Sequence, residues 1–442
     1  MLDGKVAQRC LSLLLFSGIA CPLVLNADDW GHWRGPTGNG ASPDAIPPTE
    51  WSDTKNVKWK VAIPGKGSGS PVIWGDRVFV VTGISDDATQ KEKDATSDTP
   101  GRRGRRGGVL TNTEFVLLCF DRKTGEELWR KTAVKTKPHQ GVHSTNNFAS
   151  ASPCTDGKHV YAFFGSRGLY CYTMDGQLVW KRDDFGKMDT RNAFGEGSSP
   201  TIAGDKIIVP WDHDGPSAIY ALDKLTGKTI WKTERDEPTN WSTPLVIENG
   251  NEKQIVMNGQ NFARAYDLES GNELWRCGGQ TQRPCASAVH YDGLVFVGSG
   301  FRGSFLGAFR LNGKGDIADT SNVVWSVNRD TPDIASPLLS EGRIYFYKGK
   351  SGVLSCLDAK TGQPHYSATR VPGLSNIYAS PIAAGDYVFL TDRSGKTVVL
   401  KDGEEFEVVA TNTVGETVDA TPAPVGDQLF IRGERHLFCI QE

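Results

Sequence analysis

Beyond its first 27 residues, this 442-residue chain has no apolar run near the roughly eighteen residues that a membrane-spanning helix needs. It has no Gly-x-Ser-x-Gly elbow, no phosphate-cradling glycine loop and no dinucleotide fingerprint. The common signals for nucleophilic hydrolysis and for nucleotide chemistry are therefore missing. Charge excess is missing too: 49 Lys and Arg stand against 52 Asp and Glu, leaving −3. Nothing draws the whole chain to nucleic acid, and none is expected as a partner.

Cysteine is present, but in positions that argue against an oxidised framework. Seven of the nine cysteines follow residue 27, and none is adjacent to another. Cys119, Cys171, Cys356 and Cys439 fall in one slot of a repeat that elsewhere holds Ala221 or Ala308, which marks a small buried core position. Cys154 follows a Ser-Pro and is placed in an inner strand. Only Cys277 and Cys285 flank a loop between repeats, where a disulfide is sterically conceivable.

The first 27 residues read as a secretory signal peptide. Lys5 and Arg9 precede an apolar run from Leu11 to Leu25, and Leu25-Asn26-Ala27 offers a cleavage site before Asp28. A periplasmic or secreted protein with no transmembrane segment after cleavage is expected. Lipid anchoring at Cys21 is the lesser alternative, because Gly18 stands where a lipobox usually has leucine.

What the chain has in quantity is glycine, 50 residues, and tryptophan, 12 residues, and both recur in register. Asp-x-x-Thr/Ser-Gly-x-x-x-Trp appears at Asp121 to Trp129, Asp223 to Trp231 and Asp267 to Trp275. A shorter turn leads from Met174 to Trp180, and Asp358 to Tyr366 ends in tyrosine. The Asp carboxylate is suited to accept amide protons across the turn, Gly takes the left-handed position, and Trp four residues on falls on an outer strand facing the next unit. Each unit opens with an inner strand at Ser70, Ser152, Ser199, Thr243, Ser287, Ser336, Ser380 or Thr421, all but Ser287 followed by proline. Gly-Asp turns and β-branched, aromatic strands follow.

Four strands in about 44 residues make a blade, and eight openings predict an all-β, eight-bladed β-propeller of four-stranded antiparallel sheets. Seven blades is the fallback, should the weak fifth unit around Gly307–Gly313 and Trp325 merge with a neighbour. The last unit has three strands, and the missing Trp strand lies at residues 56–65 with Trp59. The N-terminal strand is therefore predicted to join the C-terminal blade and close the ring. The domain reading is residues 1–27 signal peptide, 28–55 a Trp/Gly-rich extension without a predicted place, and 56–442 one propeller. Residues 85–113 are a polar, disordered insertion in the first blade, carrying Arg102, Arg103, Arg105 and Arg106.

These motifs resemble the pyrroloquinoline-quinone-like (PQQ-like) β-propeller repeat family, in its tryptophan-docking form, from about Trp59 to the end. The resemblance implies one of two functional branches. One is the quinoprotein alcohol dehydrogenases, which hold PQQ and calcium over the channel. The other is the non-catalytic propellers typified by the lipoprotein of the outer-membrane β-barrel assembly machinery. The dehydrogenases share an adjacent Cys-Cys pair, which this chain lacks, and carry insertions that its mostly minimal units do not. A non-catalytic binding or scaffold module is expected, with no cofactor; PQQ and calcium belong to the alternative, an alcohol-dehydrogenase-like oxidoreductase.

In a propeller, the loops entering each inner strand and those between the second and third strands gather at one channel mouth. The first set here includes His139–Phe148, Asp189–Ser198, Glu237–Ser242, Thr281–Cys285, Leu374–Ala379 and Gly415–Ala420. The second supplies Arg167, Arg264, Arg302, Lys348, Lys350, Arg393 and Arg435, nearly one cation per blade. The candidate ligand-binding residues are His139, His143, Asn147, Arg191, Asn192, Trp241, Arg283, Arg302, Lys350, Asn376, Tyr378 and Arg393. A cationic rim over polar and aromatic groups suits an envelope protein or an anionic or polyhydroxylated ligand. No catalytic set is assigned. His139, His143 and Asp189 make no convincing metal set, because in a loop a spacing of four does not put two imidazoles on one face. A closed ring leaves no sheet edge needing a mate, so a monomer is expected.

Overall fold

The inner strand of each unit is only two to five residues long, and in six units a Gly-Asp or Asp-Gly turn reverses the chain at once. In the first unit Val72–Trp74 turns through Gly75-Asp76 and pairs antiparallel with Arg77–Ser85. That strand pairs with Thr113–Asp121, which pairs with Glu127–Thr136. The computed structural model describes residues 29–52, 54–86, 110–249 and 252–442. Over them the same meander recurs in eight sheets, the blades of an eight-bladed β-propeller. The middle strands are apolar on both faces because each sheet is packed between two others: Val78 to Val81 are wholly buried. The fifth unit is a complete blade (289–291, 294–299, 305–310 and 323–327), so no merging to seven occurs.

The ring closes as the terminal strands predict. Val57–Ala62 pairs antiparallel with His436–Ile440, with Trp59 opposite Cys439. The long polar segment of the first blade begins later than its composition indicates, since Ser85 and Thr113 are themselves paired strand residues. Its remainder, residues 87–109 with the four arginines, lies outside the described residues, as do residues 1–28.

Why the small slot is small becomes plain in the register. Cys119 faces Trp129, Cys171 faces Trp180, Ala221 faces Trp231, Ala308 faces Trp325 and Cys356 faces Tyr366 across neighbouring strands. A bulky residue there would meet the ring directly opposite. Burial pushes the thiols of Cys119, Cys171, Cys356 and Cys439 up to about 12. Cys277 and Cys285 are free thiols and form no disulfide.

The tryptophans join blade to blade. Nε1 of Trp59 donates to the Arg122 carbonyl at 3.0 Å, that of Trp129 to Met174, Trp180 to Lys224, Trp231 to Leu268 and Trp325 to Ala359. Each ring lies against the glycine of the next blade's turn. A Cβ on Gly125, whose φ is +74°, would sit 2.8 Å from the Trp59 ring, so this turn needs glycine for both conformation and space. The Asp carboxylates act as expected: Asp121 Oδ1 accepts from the amides of Lys123 and Thr124 at 2.9 and 2.8 Å. Trp275 departs from the pattern, donating instead to Gln254 at 3.3 Å. Here Gly315–Asp316 adds a parallel fifth strand outside Glu273–Cys277, and Trp275 is fully buried.

Candidate ligand cup at the channel mouth

The eight opening residues form a closed circle around the axis. The amide of Ser70 donates to Ser152 Oγ, Ser152 to Ser199, Ser199 to Thr243 and Thr243 to Ser287. Ser287 then donates to Ser336, Ser336 to Ser380, Ser380 to Thr421 and Thr421 back to Ser70, all between 2.8 and 3.1 Å. A hydroxyl here satisfies the buried amide of the preceding unit's opening residue, which has no ladder partner at that height. This is the physical reason for Ser or Thr before proline in every unit but the one that lost its proline.

The N-terminal extension closes the channel beyond this circle. Trp30 bridges to Ile73, the Thr155 amide donates to Gly31 O, and Asn39 exchanges hydrogen bonds with His290 at 2.9 Å each. Ala41–Ser42 pairs parallel with Ala383–Ala384, and the Ile46 amide donates to Gly426 O. At the centre Arg34, 1 % exposed, donates to the carbonyls of Pro381, Pro337 and Asn39 at 2.9, 2.5 and 3.1 Å. Its side-chain hydrogen bonds go to carbonyl oxygens and to no carboxylate among the described residues, and burial lowers its pKa to about 9.

What remains on the other side is a blind cup of about 420 Å³ with Trp33 of the extension and seven of the eight circle residues in its lining. Its apolar walls are Phe194, Trp241, Phe301 and Tyr378. Cations lie on these rings: Arg283 over Phe194 and Phe301 at 5.2 Å each, Arg302 over Phe301 at 5.4 Å, and Lys350 over Tyr378 at 5.4 Å. Burial and the like charges of Arg191 and Arg302 lower the Arg283 pKa. Two carboxylates also line the cup. Asp419 lies 2.9 Å from Arg393 Nε, and burial still pushes its pKa up to about 6. Asp333 is raised by burial against the opposing charge of Lys350.

The loops do converge as expected, but they bring only part of the candidate set together. His143, Trp241, Arg283, Lys350 and Tyr378 line the cup. His139 and Asn147 line a smaller recess of about 40 Å³ beside it, with His139 Nε2 held 2.8 Å from the Met188 carbonyl. Arg302 and Arg393 act at one remove, through Phe301 and Tyr378. Arg191 pairs with Asp214 at 2.8 Å on a separate shallow cleft, and Asn192 and Asn376 hold left-handed turns at φ 57° and 54° without lining the cup.

The rim of one cation per blade is also thinner than its composition indicates. Arg264 is buried and bonded to Glu237, Asp236 and Glu273; Lys348 pairs with Asp330 and Arg435 with Glu416. Acids on neighbouring loops take these charges, which loop composition cannot reveal. Phe194 and Asp419 lie in the predicted mouth loops Asp189–Ser198 and Gly415–Ala420 but outside the candidate set, and Trp33, Phe301 and Asp333 lie outside both. Trp33 had a signal, the dense Trp/Gly extension, but nothing in sequence said which end of the channel it fills.

The donor set does not match a calcium ion. Calcium takes six to eight oxygens, usually several from carboxylates. The cup offers Asp333 and an Asp419 engaged by Arg393, and no group of three or more His, Cys, Asp or Glu gathers among the described residues. No helix among them is long and apolar enough to cross a membrane.

Fold and mouth together define a PQQ-like repeat propeller with a plugged channel. The family model described as outer membrane protein assembly factor BamB matches residues 113–283 and 259–441, and the chain belongs to that family. A BamB from Moranella endobia is 22 % identical over 346 residues, 74 % of this chain and 81 % of that protein. BamB proteins of Francisella salina and Francisella tularensis are 31 % and 27 % identical over 23 % and 29 % of this chain, and the matches span only 20 % and 30 % of their length. Among solved structures, BamB from Moraxella catarrhalis superposes with a TM-score of 0.54 at 11 % identity, covering 87 % of this chain and 99 % of that one. Quinohemoprotein alcohol dehydrogenase from Comamonas testosteroni gives 0.59 at 10 %, covering 93 % and 80 %. At these identities the structural likeness is one of fold.

Proposed function

We propose that this protein is an exported, non-catalytic binding and scaffold module of the periplasm or cell envelope, and that it engages an envelope protein or an anionic or polyhydroxylated group through the cup. The observation that carries this reading is the blind cup itself, open at one mouth and walled by aromatic rings bearing cations. Membership of an assembly-factor family supports it. So does the lack of the adjacent cysteines that mark the dehydrogenase branch. Closing the far mouth with the chain's own residues makes a receptor rather than a conduit.

The export half of the proposal rests on residues 1–27, and N-terminal sequencing of the cell-fractionated protein tests it: a mature chain starting at Asp28 in the periplasmic or envelope fraction is expected. The binding half is tested by capture from envelope extract with the wild-type chain and with a folded Arg283→Ala/Lys350→Ala variant as baits. A partner held by the first and lost by the second is expected. Equal capture by both baits overturns the role of the cup.

A further inference from the structure

The hydroxyl circle at the cup floor has a second capacity. All eight residues are less than 9 % exposed, and each Oγ or Oγ1 accepts an amide proton. Among the described residues no acceptor takes any of the eight hydroxyl protons. Trp33 Nε1–H is likewise buried with no acceptor, in the same floor. Buried donors are almost always matched, so a floor with this many unspent ones is built for something that brings acceptors.

The walls supply charge. Arg283, Arg302 and Lys350 have no carboxylate within 4.0 Å among the described residues, whereas Arg191, Arg264, Lys348, Arg393 and Arg435 are all paired. Arg34 is not in the lining, but its guanidinium carbon lies 5.5 Å from the Trp33 ring centroid and adds positive potential under the floor. The cup is shut at that end, so an occupant enters by one end and leaves the rest of itself outside.

Resting on the reading of the cup as a binding site, we infer that it takes an acidic, glutamate-bearing peptide segment. One carboxylate of that segment reaches the floor to accept from Trp33 Nε1–H and the hydroxyl circle, with Arg283 and Lys350 flanking it. A carboxylate is acceptor-only and offers two oxygens with about four lone-pair sites, which complements a floor of unspent donors; Asp333 and Asp419 also line the cup, Asp419 beside Arg393. The aliphatic stem of glutamate lies along Trp241, Phe194 and Tyr378, and the remainder of the segment stays at the mouth.

Calorimetric titration of the mature protein with acetyl-hexaglutamate-amide tests this, with the hexaglutamine analogue and citrate as controls. Hexaglutamate is expected to bind and hexaglutamine not to. Trp33→Phe keeps an aromatic ring and removes the donor, so it should weaken binding about tenfold. The salt dependence should stay the same, because no charge is lost. In the unsubstituted protein the Trp33 indole N–H resonance should move downfield on adding hexaglutamate, a readout that does not depend on a variant folding. Arg283→Ala/Lys350→Ala should abolish binding. If Trp33→Phe binds as wild type and the indole resonance stays put, the floor assignment falls while the cationic mouth stands. If citrate binds and hexaglutamate does not, the peptide assignment falls. If neither anion binds, or the rim variant binds both unchanged, the cup reading falls with it.

Discussion

The amide of Thr421 donates to the hydroxyl of Ser70 at 3.0 Å across 351 residues of sequence, and with that bond the circle of eight becomes continuous. It sits at the seam where the first and last blades meet. Ser70→Ala leaves the Thr421 amide buried without a partner and should cost about 1–3 kcal/mol, read from urea unfolding. Ser152→Ala breaks the equivalent bond from Ser70 and should cost about the same. A loss within experimental error at both positions would mean the circle contributes nothing to stability.

The same seam is held at its rim by Trp59, 8 % exposed. Trp59→Ala should destabilise by about 3–5 kcal/mol through lost packing on Gly125 and the first blade. Trp59→Phe keeps part of the ring but loses the bond to Arg122 O, and should cost distinctly less. Equal effects of the two would show that the ring's packing contributes little.

Removing the plug's central cation should loosen the extension more than the propeller. Arg34→Met abandons the carbonyls of Pro337, Pro381 and Asn39. Hydrogen exchange at Gly40, Ala383 and Gly385, whose amides bond to the carbonyls of Arg34, Gly40 and Ser42, should quicken about 10- to 100-fold, equivalent to roughly 2 kcal/mol of local opening. Exchange in the middle strands of the blades should barely change.

Asp419 makes the cup pH-sensitive. Its folded pKa of about 6 exceeds the ordinary value of 3.8, so the folded protein takes up a proton that the unfolded chain does not as pH falls through 6 toward 4. That group's contribution to stability therefore rises as the medium acidifies, the reverse of an ordinary ion-paired carboxylate. Protonation also releases the Arg393 charge, so anion affinity should be higher at pH 5 than at pH 7. Asp419→Asn should reduce both differences, leaving the share of Asp333, whose carboxyl burial also raises, measured by denaturation and by hexaglutamate titration at the two pH values.

Thiol chemistry reports on the core. With pKa values near 12, Cys119, Cys171, Cys356 and Cys439 should resist alkylation in the native protein at pH 8 and react only on unfolding. Fast native labelling at any of the four would contradict their place opposite the aromatic rings.

Sequence alone determined the blades, because their signals are local. The Asp-x-x-Thr-Gly turn, the Gly-Asp hairpin and the alternation of short β-branched runs act within a few residues, and their recurrence counts the units. It also determined the closure, since a last unit lacking its Trp strand and a first segment carrying Trp59 fit only each other. Tertiary structure decided what the mouth is. Whether Arg264 or Lys350 is a free charge depends on which acid from another loop lies within 4 Å, and that is a matter of distances between segments far apart in sequence. So is the place of the extension: Trp33 and Arg34 belong to a stretch whose partners are carbonyls and strands of several blades, and only the assembled ring creates the space they fill.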